Sequence, residues 1–167
     1  RQSLVGSEMC IRDRNYISAF TDNAEAKGIE VCKKFNLDVS VSGKDTVHDD
    51  LNKFLFNNNP DLIILSGYMK IIPELIVNTY LGKIINIHPS LLPKYPGLNT
   101  YEKVIENNDQ YQGATVHFVT KDLDEGPIIL QGSFSVREGM TKAELENFTH
   151  KTEYIIFPIV VEWFAEN

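Results

Sequence analysis

The chemistry most easily read from this chain sits on one predicted strand. Asn86 and His88 flank Ile87 in Lys83-Ile84-Ile85-Asn86-Ile87-His88-Pro89-Ser90. Side chains alternate along a strand, so the two project to the same side. An asparagine amide polarises a carbonyl oxygen, and an imidazole moves a proton near neutral pH. Pro89 fixes the backbone directly after His88. Gly67, in Leu65-Ser66-Gly67-Tyr68-Met69-Lys70, leaves the preceding strand where backbone can come close to a ligand.

Other residues read two ways. His88 is divided between a site residue and a satisfied structural histidine at a strand end. Asp124, in Asp122-Leu123-Asp124-Glu125-Gly126-Pro127, reads first as a turn former. His117, between Val116 and Phe118, reads as core or site. His48 and His150 read as surface helix residues. A zinc site from His88, His117 and Asp124 lacks close ligand spacing, so no metal is expected.

The elements that must position these residues follow from hydrophobic period. Residues 16–20 read as a strand, 23–35 as a helix and 38–41 as a second strand. Residues 46–56 place Val47, Leu51, Phe54 and Leu55 on one helical face, and Asn58-Asn59-Pro60 ends that helix. The apolar run 62–65 reads as a strand buried on both faces. A helix over 73–81 has Pro73 at its start and Gly82 past its end. Residues 83–87 form the next central strand. Strands alternating with helices imply an open, mostly parallel α/β sheet with flanking helices. Such sheets bind ligands at the carboxyl ends of their strands, where Gly67, Asn86 and His88 stand. Residues 114–120 and 127–136 alternate around a turn and predict an antiparallel hairpin. Thr141-Lys142-Ala143-Glu144 is a capping box opening a long C-terminal helix. Its predicted inner stripe is Leu145, Phe148, Ile155, Ile156, Ile159, Val160 and Trp163.

The 167 residues suffice for one domain with a core. A net charge of −7 with no Lys/Arg block argues against a polynucleotide partner. A small anionic substrate stays open, because helix N-termini and single cations hold phosphate. Cys10 and Cys32 form no disulfide framework and no metal pattern, as in a reduced cytoplasmic protein. No apolar run reaches the ~20 residues that cross a bilayer, and no secretory signal is expected at the N-terminus.

The run Asn86-Ile-His-Pro-Ser-Leu-Leu-Pro-Lys-Tyr-Pro-Gly97 resembles the signature of the glycinamide ribonucleotide (phosphoribosylglycinamide) formyltransferases. The likeness extends through Gly67-Tyr-Met-Lys70, Ala114-Thr-Val-His-Phe-Val-Thr120 and Leu123-Asp-Glu-Gly-Pro-Ile-Ile-Leu-Gln131 to Trp163-Phe164. It implies the formyltransferase fold and transfer of a formyl group from 10-formyltetrahydrofolate, a co-substrate, to the amine of glycinamide ribonucleotide in purine synthesis. It implies a catalytic trio of Asn86, His88 and Asp124, which promotes Asp124 from a turn residue. The folate contacts implied are Lys44, Met69, Lys70, Ile71, Ile72, Asn86, Thr120, Lys121, Asp122, Leu123 and Asp124. The ribonucleotide contacts implied are Gly67, His150, Lys151, Thr152 and Glu153. The expected partners are these two small molecules, with no nucleic acid and no membrane, for a cytoplasmic monomer or weak homodimer. Alternatives are methionyl-tRNA formyltransferase, formyltetrahydrofolate hydrolase, or an inactive folate-binding fragment.

Two departures shape the expectation. The family usually has Arg where Lys70 stands, and Lys lacks the planar fork. The family's first strand and its Ser-Gly-x-Gly-Ser-Asn phosphate loop have no counterpart. Residues 1–14 read as a leader unrelated to the family, or an assembly artefact. A single formyltransferase domain is then expected over 15–167, truncated at its first strand and phosphate loop.

Overall fold

The computed structural model describes residues 4–5, 17–68 and 70–166. The chain divides into two compact units, residues 1–85 and 86–167. Among the described residues, the first unit holds strands β1 (Leu4–Val5), β2 (Ser18–Thr21), β3 (Asp38–Val41) and β4 (Ile63–Ser66). Its helices are α1 (Gly28–Lys34), α2 (Val47–Asn58) and α3 (Glu74–Thr79). Strand β5 (Ile84–His88) begins in the first unit and ends in the second.

β2 and β3 pair in parallel from Ser18 opposite Asp38 to Thr21 opposite Val41, as the strand–helix–strand rhythm predicts. Ile63, Ile64 and Leu65 of β4 are all buried, the environment a continuous apolar run requires. Helix α2 buries Val47, Leu51 and Leu55, and the Phe54 ring lies 5.4 Å from Phe20. It stops at Asn59, whose φ of 40° is left-handed, a conformation asparagine tolerates better than most residues. The α1 segment departs from expectation by starting at Gly28 rather than near residue 23. The Thr21 hydroxyl accepts from the Asn23 N–H, and the Asn23 side chain accepts from the Glu25 N–H. Such local bonds offer the backbone an alternative to helix.

Leu4–Val5 forms β1 between β2 and β4, antiparallel to both. Two strands that would otherwise leave their N–H and C=O groups unpaired accept a short extended segment of either direction.

The second unit contains α4 (Thr100–Glu106), the hairpin of β6 (Tyr111–Phe118) and β7 (Ile128–Ser135), and α5 (Lys142–Glu166). The hairpin is antiparallel from Tyr111 opposite Ser135 to Val116 opposite Leu130. The register then slips: His117 faces Ile128, so Ile129 is an extra residue on β7. The capping box at α5 forms as read. The Glu144 carboxylate accepts from the Thr141 N–H at 2.9 Å, and Thr141 Oγ1 accepts from the Glu144 N–H at 3.3 Å.

The inner face of α5 needs correction. Leu145, Thr149, Ile156, Val160 and Val161 are buried, whereas Ile155, Ile159 and Trp163 are more than half exposed. Apolar residues surround this helix widely enough to define two stripes. The hairpin takes only one, with Gly132 of β7 so close to the helix that an added Cβ would lie 2.6 Å from Thr152 Cγ2 and 2.8 Å from Ile156 Cγ2. Helix α4 had no expectation attached to it. Its Tyr101 and Val104 form a cluster with Leu145, flanked by Tyr95, Phe134, Val136 and Met140. No helix among the described residues is long and apolar enough to cross a membrane.

Candidate active site

The second unit brings four side chains together. Asn86 and His88 come from the end of β5, His117 from the end of β6, and Asp124 from the turn before β7. His88 Nδ1 lies 3.2 Å from Asp124 Oδ2. His117 Nε2 lies 3.6 Å from Asp124 Oδ1 and 3.3 Å from Asn86 Nδ2. The alternation that aimed Asn86 and His88 to one side is matched by their contacts: Asn86 meets His117, His88 meets Asp124, and these two partners meet each other.

Asp124 is both a turn residue and a site residue. Its φ of 57° is left-handed, which aspartate tolerates in turns. That backbone carries the carboxylate inward, where its side chain is only 8% exposed. The Gly97 N–H donates to Oδ2 at 2.8 Å. Gly126 closes the same turn, and a Cβ there would lie 1.7 Å from the Phe118 carbonyl oxygen.

The segment after β5 supplies the other wall. It contains a cis Leu92–Pro93 bond and left-handed backbone at Tyr95 and Gly97. Side chains from the hairpin hold it: Gln112 donates to Pro89 O, Gln131 donates to Leu92 O, and Thr115 donates to Ser90 O while accepting from the Leu92 N–H. Held this way, the Tyr95 carbonyl accepts from His88 Nε2 at 2.9 Å. A carbonyl only accepts, so Nε2 carries a proton. Nδ1 faces a carboxylate oxygen of Asp124, an acceptor. The two contacts together are satisfied by an imidazolium at His88.

His117 is in the opposite state. Its Nδ1–H donates to the Phe118 carbonyl at 2.9 Å. Burial is the main influence on the ring and lowers its pKa below the ordinary 6.5, against smaller raising effects from Phe118 and Asp124. The 3.6 Å approach to Asp124 is therefore a contact of a neutral ring with a carboxylate, not a salt bridge. The site holds one imidazole suited to the charged form and one kept neutral, a division of labour that suits acid–base chemistry.

An amide N–H beside an imidazole suited to the charged form is equipped to stabilise negative charge on a carbonyl oxygen and to move a proton. A cavity of about 310 Å³ opens beside Asp124, lined by Leu92, Pro93, Pro96, Glu125, Gly126 and Ile128. Among the described residues, no group of three or more His, Cys, Asp or Glu is placed to hold a metal ion.

The remaining expected positions lie as follows. On the first unit, Lys44 is exposed, Gly67 has a left-handed φ of 66°, Ile71 is exposed and Ile72 is buried. Lys70 Nζ lies 2.9 Å from Asp22 Oδ2. Met69 falls outside the described residues. On the second unit, Lys121, Asp122 and Leu123 are exposed, and Thr120 donates to Asp122 O. On α5, His150 lies 4.0 Å from Glu146, Lys151 Nζ sits 5.2 Å from the Phe148 ring centroid, and Thr152 donates to Phe148 O. Thr152 also packs against Gly132 of the hairpin. Sequence reasoning left His117 undecided and missed the backbone contributions of Tyr95 and Gly97. The Tyr-Pro-Gly run was their only trace.

Comparison with known proteins agrees with this fold. Residues 14–161 match the formyl transferase family model. The phosphoribosylglycinamide formyltransferase of Haemophilus influenzae is 40% identical over 152 residues, covering 87% of this chain and 72% of the relative. That of Escherichia coli is 35% identical over 155 residues, covering 89% and 73%. The crystal structure of phosphoribosylglycinamide formyltransferase from Anaplasma phagocytophilum superposes with a TM-score of 0.84 at 33% identity, covering 88% of this chain and 72% of that one.

Proposed function

Because the chain belongs to the formyl transferase family, we propose that it transfers a formyl group from 10-formyltetrahydrofolate to the amine of glycinamide ribonucleotide in purine biosynthesis. The observation that carries this reading is the His88–Asp124 contact at 3.2 Å beside the Asn86 amide.

The substrate amine attacks the formyl carbon, and the carbonyl π pair moves to oxygen. The tetrahedral oxyanion collapses with cleavage of the bond to folate N10. The amine loses a proton and N10 gains one. Asn86 and the His88 imidazolium donate to the oxyanion; one such donor contributes ~3–4 kcal/mol in other enzymes. His88 is the proton carrier, with Nε2 exchanging the Tyr95 carbonyl for substrate or acting through water. Asp124 favours the charged ring and orients it.

Folate contacts are assigned to Lys44, Met69–Ile72 and Thr120–Asp124. Ribonucleotide contacts are assigned to Gly67 and to His150, Lys151 and Glu153, with Thr152 serving mainly to seat the helix. The formyltransferase domain is taken as residues 15–167, needing no metal. A cytoplasmic monomer or weak homodimer acting on small molecules completes the reading, and the net charge of −7 argues against a polynucleotide partner.

The test is acceptor choice. A 10-formyl folate analogue is supplied with glycinamide ribonucleotide, with methionyl-tRNA, or with buffer alone, and folate absorbance is followed. Turnover dependent on glycinamide ribonucleotide is expected, with His88→Ala abolishing it while folate binding survives. Turnover with the tRNA or with water instead overturns the proposal.

A further inference from the structure

We infer that His117 is the positioning residue that sets which end of the Asn86 amide is offered to the substrate, by accepting an Asn86 N–H on its unprotonated Nε2. The inference deepens the reaction proposed above and rests on that reading for its kinetic consequence.

His117 Nδ1 faces the Phe118 carbonyl at 2.9 Å. A carbonyl only accepts, so Nδ1 holds the proton and a neutral ring exposes a lone pair at Nε2. That lone pair points at Asn86, 3.3 Å away. Were the amide turned by 180°, its oxygen would meet the lone pair and the two would repel. The tautomer therefore dictates the amide: Nδ2 toward His117, one N–H used there, the other N–H left for the substrate oxygen.

Three features keep this relay in place. His117 is only 2% exposed, so water does not compete for Nε2. The β-bulge falls between Val116 and His117, breaking the ladder where the ring enters the site, a device that re-aims side chains beside active sites. Asp124 Oδ1, at 3.6 Å, is a second polar group near Nε2, and the Gly97 N–H and His88 draw the opposite oxygen of that carboxylate away.

An Asn86 amide free to turn would present its oxygen to the developing oxyanion for part of the time, and misplacement on this scale costs up to about 100-fold in rate. His117 is thus a residue that acts through Asn86, and the two must behave as a unit.

Two measurements test this. First, 15N NMR of histidine-labelled chain at neutral pH reports the His117 tautomer without requiring turnover. A proton on Nδ1 is expected, together with a change in the Asn86 side-chain NH2 signal in His117→Gln; a proton on Nε2 overturns the inference. Second, a kinetic cycle compares His117→Ala and Asn86→Ala, singly and together. His117→Ala is expected to lower kcat about tenfold or more with folate KM little changed, and to cost less than about twofold once Asn86 is already alanine. His117→Gln, whose amide oxygen can accept the same N–H, is expected to recover part of the loss and covers the case of a poorly folded alanine variant. Additive losses, or wild-type kcat in His117→Ala, overturn the inference. A wild-type chain without turnover but with the expected NMR result refutes the proposed reaction and still supports the His117–Asn86 contact.

Discussion

The Gly97 N–H donates to Asp124 Oδ2 at 2.8 Å, and that same oxygen lies 3.2 Å from His88 Nδ1. A backbone donor on one loop thus fixes the carboxylate that steers a ring on the adjacent strand. Both residues hold left-handed backbone, Gly97 at φ 73° and Asp124 at φ 57°, so two turns are shaped around a single oxygen.

Asp124→Asn tests that arrangement. The amide preserves volume but removes the negative charge that suits the His88 imidazolium. Acid–base groups of this kind contribute about 10²–10⁴-fold, so kcat is expected to fall at least about 100-fold with the folate dissociation constant close to wild type. Steady-state kinetics with a binding titration decides it; an unchanged kcat removes the carboxylate from the mechanism.

Gly126→Ala is a steric test of the turn. The new Cβ would sit 1.7 Å from Phe118 O, while Gly82, at φ 76°, has nothing within 4 Å of its Cβ position. Overpacking against fixed backbone costs about 1–3 kcal/mol or more, whereas Gly82→Ala meets only the left-handed penalty of roughly 1–2 kcal/mol. Urea unfolding should rank Gly126→Ala as the less stable of the two. It should also lose activity, because Asp124 moves with the turn. Equal stability and full activity for both would contradict the geometry.

Stability is expected to depend on pH through His117. Burial lowers its pKa below the ordinary 6.5. As pH falls through 6.5 the unfolded chain takes up a proton that the folded ring refuses, so this group's contribution to stability declines. The decline ends once pH drops below the folded value. The groups facing the ring are Asp124, His88 and the uncharged Asn86. Urea midpoints for wild type should fall more steeply than those of His117→Gln between neutral and mildly acidic pH. Parallel curves would mean that the ring titrates normally.

Lys70 should govern folate affinity rather than rate. Its ammonium is 2.9 Å from Asp22, with the two side chains 36% and 15% exposed, so the pair contributes at most ~1 kcal/mol to stability. Lys70→Ala is expected to raise the folate KM about 5- to 10-fold with kcat nearly constant, the pattern of lost uniform binding. Lys70→Arg, with its planar fork, should bind at least as well as wild type. A fall in kcat at constant KM would place Lys70 elsewhere.

The framework was legible where one signal dominated. The buried run Ile63-Ile64-Leu65, the capping box at Thr141 and Glu144, and the spacing of Val47, Leu51 and Leu55 each have a single structural solution. Where two solutions compete, only packing chooses. Ile155, Ile159 and Trp163 form as good a stripe as the one α5 buries, and nothing local says which faces the hairpin. The start of α1 was obscured because Thr21 and Asn23 make turn bonds that periodicity does not register. The site divided the same way. Asn86 and His88 were readable from alternation on one strand. Asp124 looked like a turn residue because it is one, and its second role exists only after Gly97 and His88 reach it from other segments. His117 stayed undecided because the slip in register that accompanies it involves Ile129 on the partner strand.

That slip makes hairpin length a functional quantity. From Tyr111 to Val116 the two strands count in step, and beyond Val116 they differ by one. A one-residue deletion at Ile129 would let the ladder zip straight through and rotate everything beyond it, His117 and the approach to Asp124 included. A deletion near Ser135 would first be felt at the far end of the same hairpin. Here the site depends on where a residue is counted as well as on which residue it is.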